Sequence, residues 1–294
     1  MSGEARFGPA GNAKSFYEEG YKSSLDAPAW LRKAGLGAYE YQCVRGVNIG
    51  EKAARALGEK AAENDVALSI HAPYYINLAS EDPEQVNKSK NHLLKALRAA
   101  RWMGATRVVF HAGSVRGDRK EALKRARKAL AQTLDEAARE GLGDILLAPE
   151  TLGRYSYLGL LEEILDLCQV GPNLIPCVDF GHLHAITHGY FTDRAAYALV
   201  LDLVGEVLGE EVLRRLHIHF SPVEFGEKGE RRHRTLAEAG YGPEFAPLAA
   251  LLVERELTPI VICESNGTQA EDACVYREIY MKVKNSESRI QNSE

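Results

Sequence analysis

The chain has 294 residues, a formal net charge of −5, a pI near 6.0 and 45% hydrophobic residues. That length is ample for a large core and ordinary for an α/β barrel folded as one domain. The acidic balance excludes a global basic field of the kind many nucleic-acid binders carry, so any affinity for DNA has to come from a local patch.

In chain order, short apolar runs read as strands at Ala5–Pro9, Ala38–Cys43, Ala67–His71, Arg107–His111, Asp144–Glu150, Leu174–Asp179, Leu216–Phe220 and Pro259–Glu264. Between them lie amphipathic stretches such as GEKAARALGEKAAEN, KSKNHLLKALRAARWMG, RKEALKRARKALAQTLDEAAREG and EFAPLAALLVEREL, with apolar residues at helical spacing. Gly141 and Gly143 are candidate helix C-caps. The exposed face of RKEALKRARK reads as an ordinary solvated helix surface.

Strand–helix alternation implies parallel strands and right-handed crossovers. An open doubly wound sheet alternates in the same way. Polar residues at six or more strand ends favour closure into a (β/α)8 TIM barrel, the only arrangement that gathers so many. The expected organisation is one domain over residues 1–283 and a polar, flexible tail over 284–294.

Five cysteines (Cys43, Cys168, Cys177, Cys263, Cys274) are odd in number and form no CxxC pair. Cys43, Cys177 and Cys263 sit within apolar runs and read as small buried thiols of a reduced, cytoplasmic protein. The N-terminal residues lack the apolar segment of a signal peptide, and no run approaches the ~18 residues of a membrane span.

The strand ends carry His71, His111, Glu150, Asp179, His182, His219, His233 and Glu264. Imidazole and carboxylate together are the donors zinc favours, and one carboxylate can bridge two ions. Small residues beside His71 (Ala72-Pro73) and His111 (Ala112-Gly113-Ser114) leave room for an ion. Glu150 and Glu264 end apolar strands, where an unpaired carboxylate is costly to bury. In LHIHF, alternation points His217 and His219 to one side. His219, nearer the strand end, is the candidate ligand, and His217 stands behind it or in the core. His184 and His188 fall in a loop or helix start, and His92 on a helix.

The order HAPYYINLAS, FHAGS, PET, VDFGHLHA, HIHFS, RHRTL and CES, spanning about residues 67–266, resembles the endonuclease IV family of apurinic/apyrimidinic (AP) endonucleases. The resemblance implies a barrel with three zinc ions, manganese being a possible substitute. His71, His111 and Glu150 would hold the first ion; Glu150, Asp179, His219 and Glu264 the second; His182 and His233 the third. It further implies incision 5′ to an abasic site in duplex DNA during base excision repair, leaving a 3′-hydroxyl and a 5′-deoxyribose phosphate, by a monomer needing no protein partner. Glu150 and Glu264 would be the catalytic carboxylates.

The family completes its third site with an aspartate two residues before the second histidine; here that residue is Arg231, which cannot ligate zinc. Either Glu230 or Glu224 supplies the missing oxygen, or the third ion is weakly held, or Arg231 clamps phosphate. A retained site with altered ligation is the favoured reading. For DNA, Tyr74 and Tyr75 stand where the family inserts side chains, though they could equally pack the loop. Arg45 is a weaker candidate for that work. Arg116, Arg119, Lys120, Arg231, Arg232 and Arg234 are candidate phosphate contacts. The rival class is a sugar isomerase or epimerase on the same barrel, with one divalent ion held by Glu150, Asp179, His219 and Glu264. A non-catalytic barrel with a structural metal is a third, disfavoured by an open, cysteine-free donor set.

Overall fold

The computed structural model describes residues 3–291. Its strands are β1 (Arg6–Pro9), β2 (Ala38–Gln42), β3 (Ala67–His71), β4 (Arg107–Phe110), β5 (Leu146–Pro149), β6 (Cys177–Asp179), β7 (His217–Phe220), β8 (Val223–Gly226), β9 (Gly229–His233) and β10 (Ile260–Cys263). The main helices are α1 (Glu51–Glu63), α2 (Pro83–Met103), α3 (Arg119–Arg139), α4 (Leu161–Cys168), α5 (Phe180–Ile186), α6 (Arg194–Leu208), α7 (Ala246–Glu254) and α8 (Gln269–Gln291).

Two four-stranded parallel sheets, ordered β1-β10-β7-β6 and β2-β3-β4-β5, are joined by parallel bridges Ala10–Glu40 and Glu150–Cys177, which close an eight-stranded barrel. The TIM-barrel expectation holds. Gly8 permits one of the seams: a Cβ there would lie 1.8 Å from the Ala38 carbonyl oxygen of the neighbouring strand. β6 is shorter than its apolar run because Pro176 has no N–H to give the ladder.

Alternation sorts the strand residues. Small and branched side chains (Val109, Ala148, Ile175, Cys177; Ala38, Ile260, Ile262) fill the interior in two compact groups. Leu68, Ile70, Val108, Phe110, Leu147, Val178, Ile218, Phe220 and Val261 belong to the large core shared with the helices. The inward series ends, at each strand's C-terminal end, in the polar residues of the site.

Two features lie outside the sequence reading. The stretch after β7 forms an antiparallel hairpin, β8–β9, that lies outside the barrel ladder. The supposed tail is helical as far as Gln291, where α8 is tethered by an ion pair between Lys284 and Glu4; residues 292–294 lie outside the described residues. Gly141 does follow the end of α3 with a left-handed φ of 70°, whereas Gly143 is not in that region. Among the described residues, no helix is long and apolar enough to cross a membrane.

Candidate metal centre

All eight strand-end residues converge at the C-terminal mouth of the barrel. His71, His111 and Glu150 bring ligand atoms within 4.8 Å of one another, as do Glu150, Asp179, His219 and Glu264, and so do His182, Glu230 and His233. Glu150 lies at the centre. Its Oε2 is 3.1 Å from His71 Nε2 and 3.0 Å from His111 Nε2, while its Oε1 is 3.3 Å from both His182 Nδ1 and His219 Nδ1. Glu264 Oε2 is 3.3 Å from His219 Nδ1 and 3.9 Å from His233 Nε2, so it joins the second group to the third.

Hydrogen bonds orient the imidazoles. His71 Nδ1 donates to the Ala72 carbonyl at 2.8 Å and His182 Nδ1 to that of Thr151 at 2.9 Å, leaving each Nε2 turned inward. His233 Nδ1 meets Ser221 Oγ at 2.7 Å. Such partners fix tautomer and ring plane before any ion arrives. Thr151 also bolts β5 to β6, its hydroxyl accepting from the Asp179 N–H at 2.8 Å. The loop glycine Gly113 has a different purpose from room for an ion: a Cβ there would lie 2.1 Å from Asn77 Oδ1, and the Asn77 side chain ties the two loops together through Ser114.

One participant escaped the sequence reading. Glu40, wholly buried inside the barrel on β2, receives His217 Nε2 at 2.9 Å and Ser69 Oγ at 2.9 Å, and lies 3.2 Å from His219 Nε2. A carboxylate in the middle of the apolar run AYEYQC was the available signal, the same one that picked out Glu150. Of the two oxygen donors the sequence offered for the third group, Glu230 is the one the structure brings there. Pairing of Glu224 with Arg232 and of Phe225 with Glu230 leaves Arg231 as the extra residue of a bulge. A bulge reverses alternation, so Glu230, three positions before His233, comes to its side. Its Oε2 lies 3.7 Å from His182 Nε2. Arg231 instead projects outward, 64% exposed, with Glu224 at 3.4 Å. Glu224 is occupied by Arg231, Arg232 and Arg234, and is therefore not the missing donor.

The electrostatics suit a cation. Burial works against ionisation of Glu150, yet His111, His219 and His182 hold its carboxyl well below the usual range. Glu264 sits at about 2, burial being outweighed by His219. Asp179 moves the other way, to about 6: burial raises it against the pull of His182, with Glu264 and Glu150 adding to the rise. Burial alone would lower His71, but the Glu150 carboxylate lifts it to about 9. Without metal, protons on imidazoles thus neutralise a crowd of carboxylates. Asp179 Oδ1 accepts from the His182 backbone N–H at 2.7 Å, while its buried Oδ2 lies 3.2 Å from His182 Nδ1, whose hydrogen goes to the Thr151 carbonyl, and makes no hydrogen bond among the described residues. An orphaned carboxylate oxygen amid nitrogen and oxygen donors fits a divalent ion.

The DNA candidates divide. Tyr74 and Tyr75 follow β3 on the same face, 56% and 39% exposed, and Tyr75 rests edge-on against His92. Arg45, Arg116 and Lys120 line the surface. Arg119 and Arg234 are committed elsewhere. Arg119 pairs with Glu163 and donates to the carbonyls of Tyr155 and Tyr157 at 2.6 Å; Arg234 pairs with Glu224 and Glu238 and lies over the Tyr241 ring.

Residues 28–280 match the family described as xylose isomerase-like TIM barrel. The chain is 35% identical over 236 residues to an uncharacterized protein of Methanocaldococcus jannaschii, covering 80% of this chain and 84% of that one. It is 31% identical over 233 residues to a probable endonuclease 4 of Streptomyces coelicolor, covering 76% of each. Among solved structures, endonuclease IV from Thermus thermophilus superposes with a TM-score of 0.67 at 21% identity, over 96% of this chain and 99% of that one. An L-ribulose 3-epimerase does so with 0.69 at 16% identity over 97% of each; at such identities the likeness is one of fold. Fold and sequence thus define a barrel of the xylose isomerase-like class. Within that class the chain belongs to the endonuclease IV family of AP endonucleases, a metal-dependent family.

Proposed function

We propose that the protein is a zinc-dependent AP endonuclease of base excision repair, hydrolysing the phosphodiester 5′ to an abasic site in duplex DNA and leaving a 3′-hydroxyl and a 5′-deoxyribose phosphate. His71, His111 and Glu150 would hold one ion, Glu150, Asp179, His219 and Glu264 a second, and His182, Glu230 and His233 a third. When bound, zinc supplies Lewis acidity that lowers the pKa of water and neutralises charge on the phosphate and the departing 3′-oxygen.

The observation that carries this reading is the division of Glu150: Oε2 faces His71 and His111 while Oε1 faces His182 and His219. A carboxylate so placed would serve two donor groups at once and would orient a nucleophile beside it. An epimerase with one ion needs only Glu150, Asp179, His219 and Glu264, and leaves His71, His111, His182 and His233 without work. Glu264, between His219 and His233, would keep the second group of donors in register with the third.

On the DNA side, Tyr74 and Tyr75 fill the gap left by the extruded abasic nucleotide, with Arg45 beside them. Arg116 and the hairpin residue Arg231 contact phosphates. Four buried free cysteines support work inside the cell, and the enzyme acts as a monomer. The test is incubation with a duplex bearing one tetrahydrofuran abasic analogue, with and without chelator. Chelator-sensitive incision is expected; no incision with any of several divalent metals, alongside activity on ketoses or aldoses, would instead establish the epimerase.

A further inference from the structure

The opposite end of the barrel, where strands begin, holds a cavity of about 770 Å³. Its wall includes Arg6 at the start of β1, Arg107 at the start of β4, Arg215 just before β7, and the threonines Thr106 and Thr258. Arg6 is neutralised by Asp65, 2.8 Å away. Asp144 and Glu4, also on the wall, are taken by Arg101 and Lys284. Arg107 is different. It is only 8% exposed and, among the described residues, has no carboxylate partner. Its Nη1 makes two long bonds, 3.3 and 3.4 Å, to the carbonyls of Arg215 and Leu216, and its Nε has no acceptor.

A guanidinium removed from water without a counter-charge is costly. No carboxylate pairs with it directly among the described residues: burial, then the like charge of Arg215, push Arg107 down to about 10 against the weaker pull of the buried Glu40 carboxylate. Arg215 is itself only loosely paired, with Glu211 at 3.5 Å. Two guanidiniums on one cavity wall, one of them buried and short of an acceptor, form the planar, donor-rich surface that binds phosphate oxygens.

We infer that this cavity is a second binding site, remote from the metal centre, for a small phosphate-bearing dianion, held by Arg107 and Arg215 with Thr106 at its edge. Binding there neutralises the buried Arg107 charge and ties the start of β4 to the segment entering β7, so occupancy stabilises the barrel from the end that carries no chemistry.

The probes are inorganic phosphate and ribose 5-phosphate, titrated calorimetrically into the metal-loaded protein in chloride buffer. The metal centre also attracts phosphate, so the expected isotherm has a component that survives Glu264→Gln. Arg107→Met should abolish that component, and Arg215→Gln should weaken it about tenfold or more, while neither alters incision of abasic DNA at saturating substrate. Arg215 is on the surface, so its substitution serves as the test if Arg107→Met fails to fold. No phosphate component beyond the metal centre, or one that Arg215→Gln leaves unchanged, overturns the inference. Failure here leaves the nuclease assignment untouched.

Discussion

Glu230 Oε2 lies 3.7 Å from His182 Nε2, on the face of the hairpin that Arg231 would occupy in an unbroken strand. The bulge at Arg231 converts a sequence departure into a substitution of one carboxylate for another. Glu230→Gln should therefore remove one ion per chain and lower incision by about 100-fold. Restoring the family residue in that background, as Glu230→Gln/Arg231→Asp, should not recover activity, because position 231 points to solvent. Recovery would show that the bulge does not hold in solution.

Glu40 acts from behind the centre. It grips His217 and lies beside His219 Nε2, so the inward Nδ1 of His219 is aimed by a carboxylate no ion touches. Glu40→Gln should leave the fold intact and weaken metal retention by about 10- to 100-fold, read by titration with a competing chelator. Unchanged retention would reduce Glu40 to a partner of His217 alone.

The metal-free protein should be sensitive to alkali. His71 in the folded state titrates near 9, above its ordinary 6.5, because of Glu150. Its contribution to stability is fully present below about 6.5 and is lost as pH rises through 9. Glu264, held at about 2, acts oppositely: its contribution is present above about 4.5 and is lost as pH falls toward 2. Melting curves of chelator-stripped protein should fall between about pH 7 and 9.5, while the metal-loaded protein, whose histidines are already deprotonated, should fall less. Parallel losses in both forms would contradict the proton-for-metal exchange.

Tyr74, which meets the Tyr75 ring edge-on, and Arg116 are both exposed, whereas Tyr75 also rests on His92 and Arg119 pairs with Glu163. Tyr74→Ala should weaken binding of abasic duplex by about 10-fold or more without moving Tm. Arg116→Gln should lower the salt dependence of binding by about one phosphate contact. Arg119→Gln, which strips Glu163 of its partner, should lower Tm with a smaller effect on DNA. The reverse pattern would mean that the loops, rather than the exposed tips, meet the substrate.

Most of the barrel was legible because buried parallel strands are apolar from end to end and stop at polar residues, as VVFH and LLAPE do. The β8–β9 hairpin was not, since EFGEKGERRH is polar on both faces and shows no alternation to read. Glu40 was hidden for the opposite reason: it sits within a strand instead of at its end, and only the closed barrel reveals that it faces His217 across the interior. Whether Arg119 is free or paired depends on Glu163, 44 residues away, a contact no local pattern encodes.

The proposed chemistry requires a multinuclear centre. Metal content per chain, measured on protein purified without chelator and loaded with zinc, tests this most directly. Three ions are predicted, one for each of the groups built around Glu150, Glu264 and Glu230, with Glu230→Gln retaining one fewer. A single tightly held ion, unaffected by His111→Ala and by Glu230→Gln, would contradict it and leave the mononuclear set of Glu150, Asp179, His219 and Glu264 as the whole site.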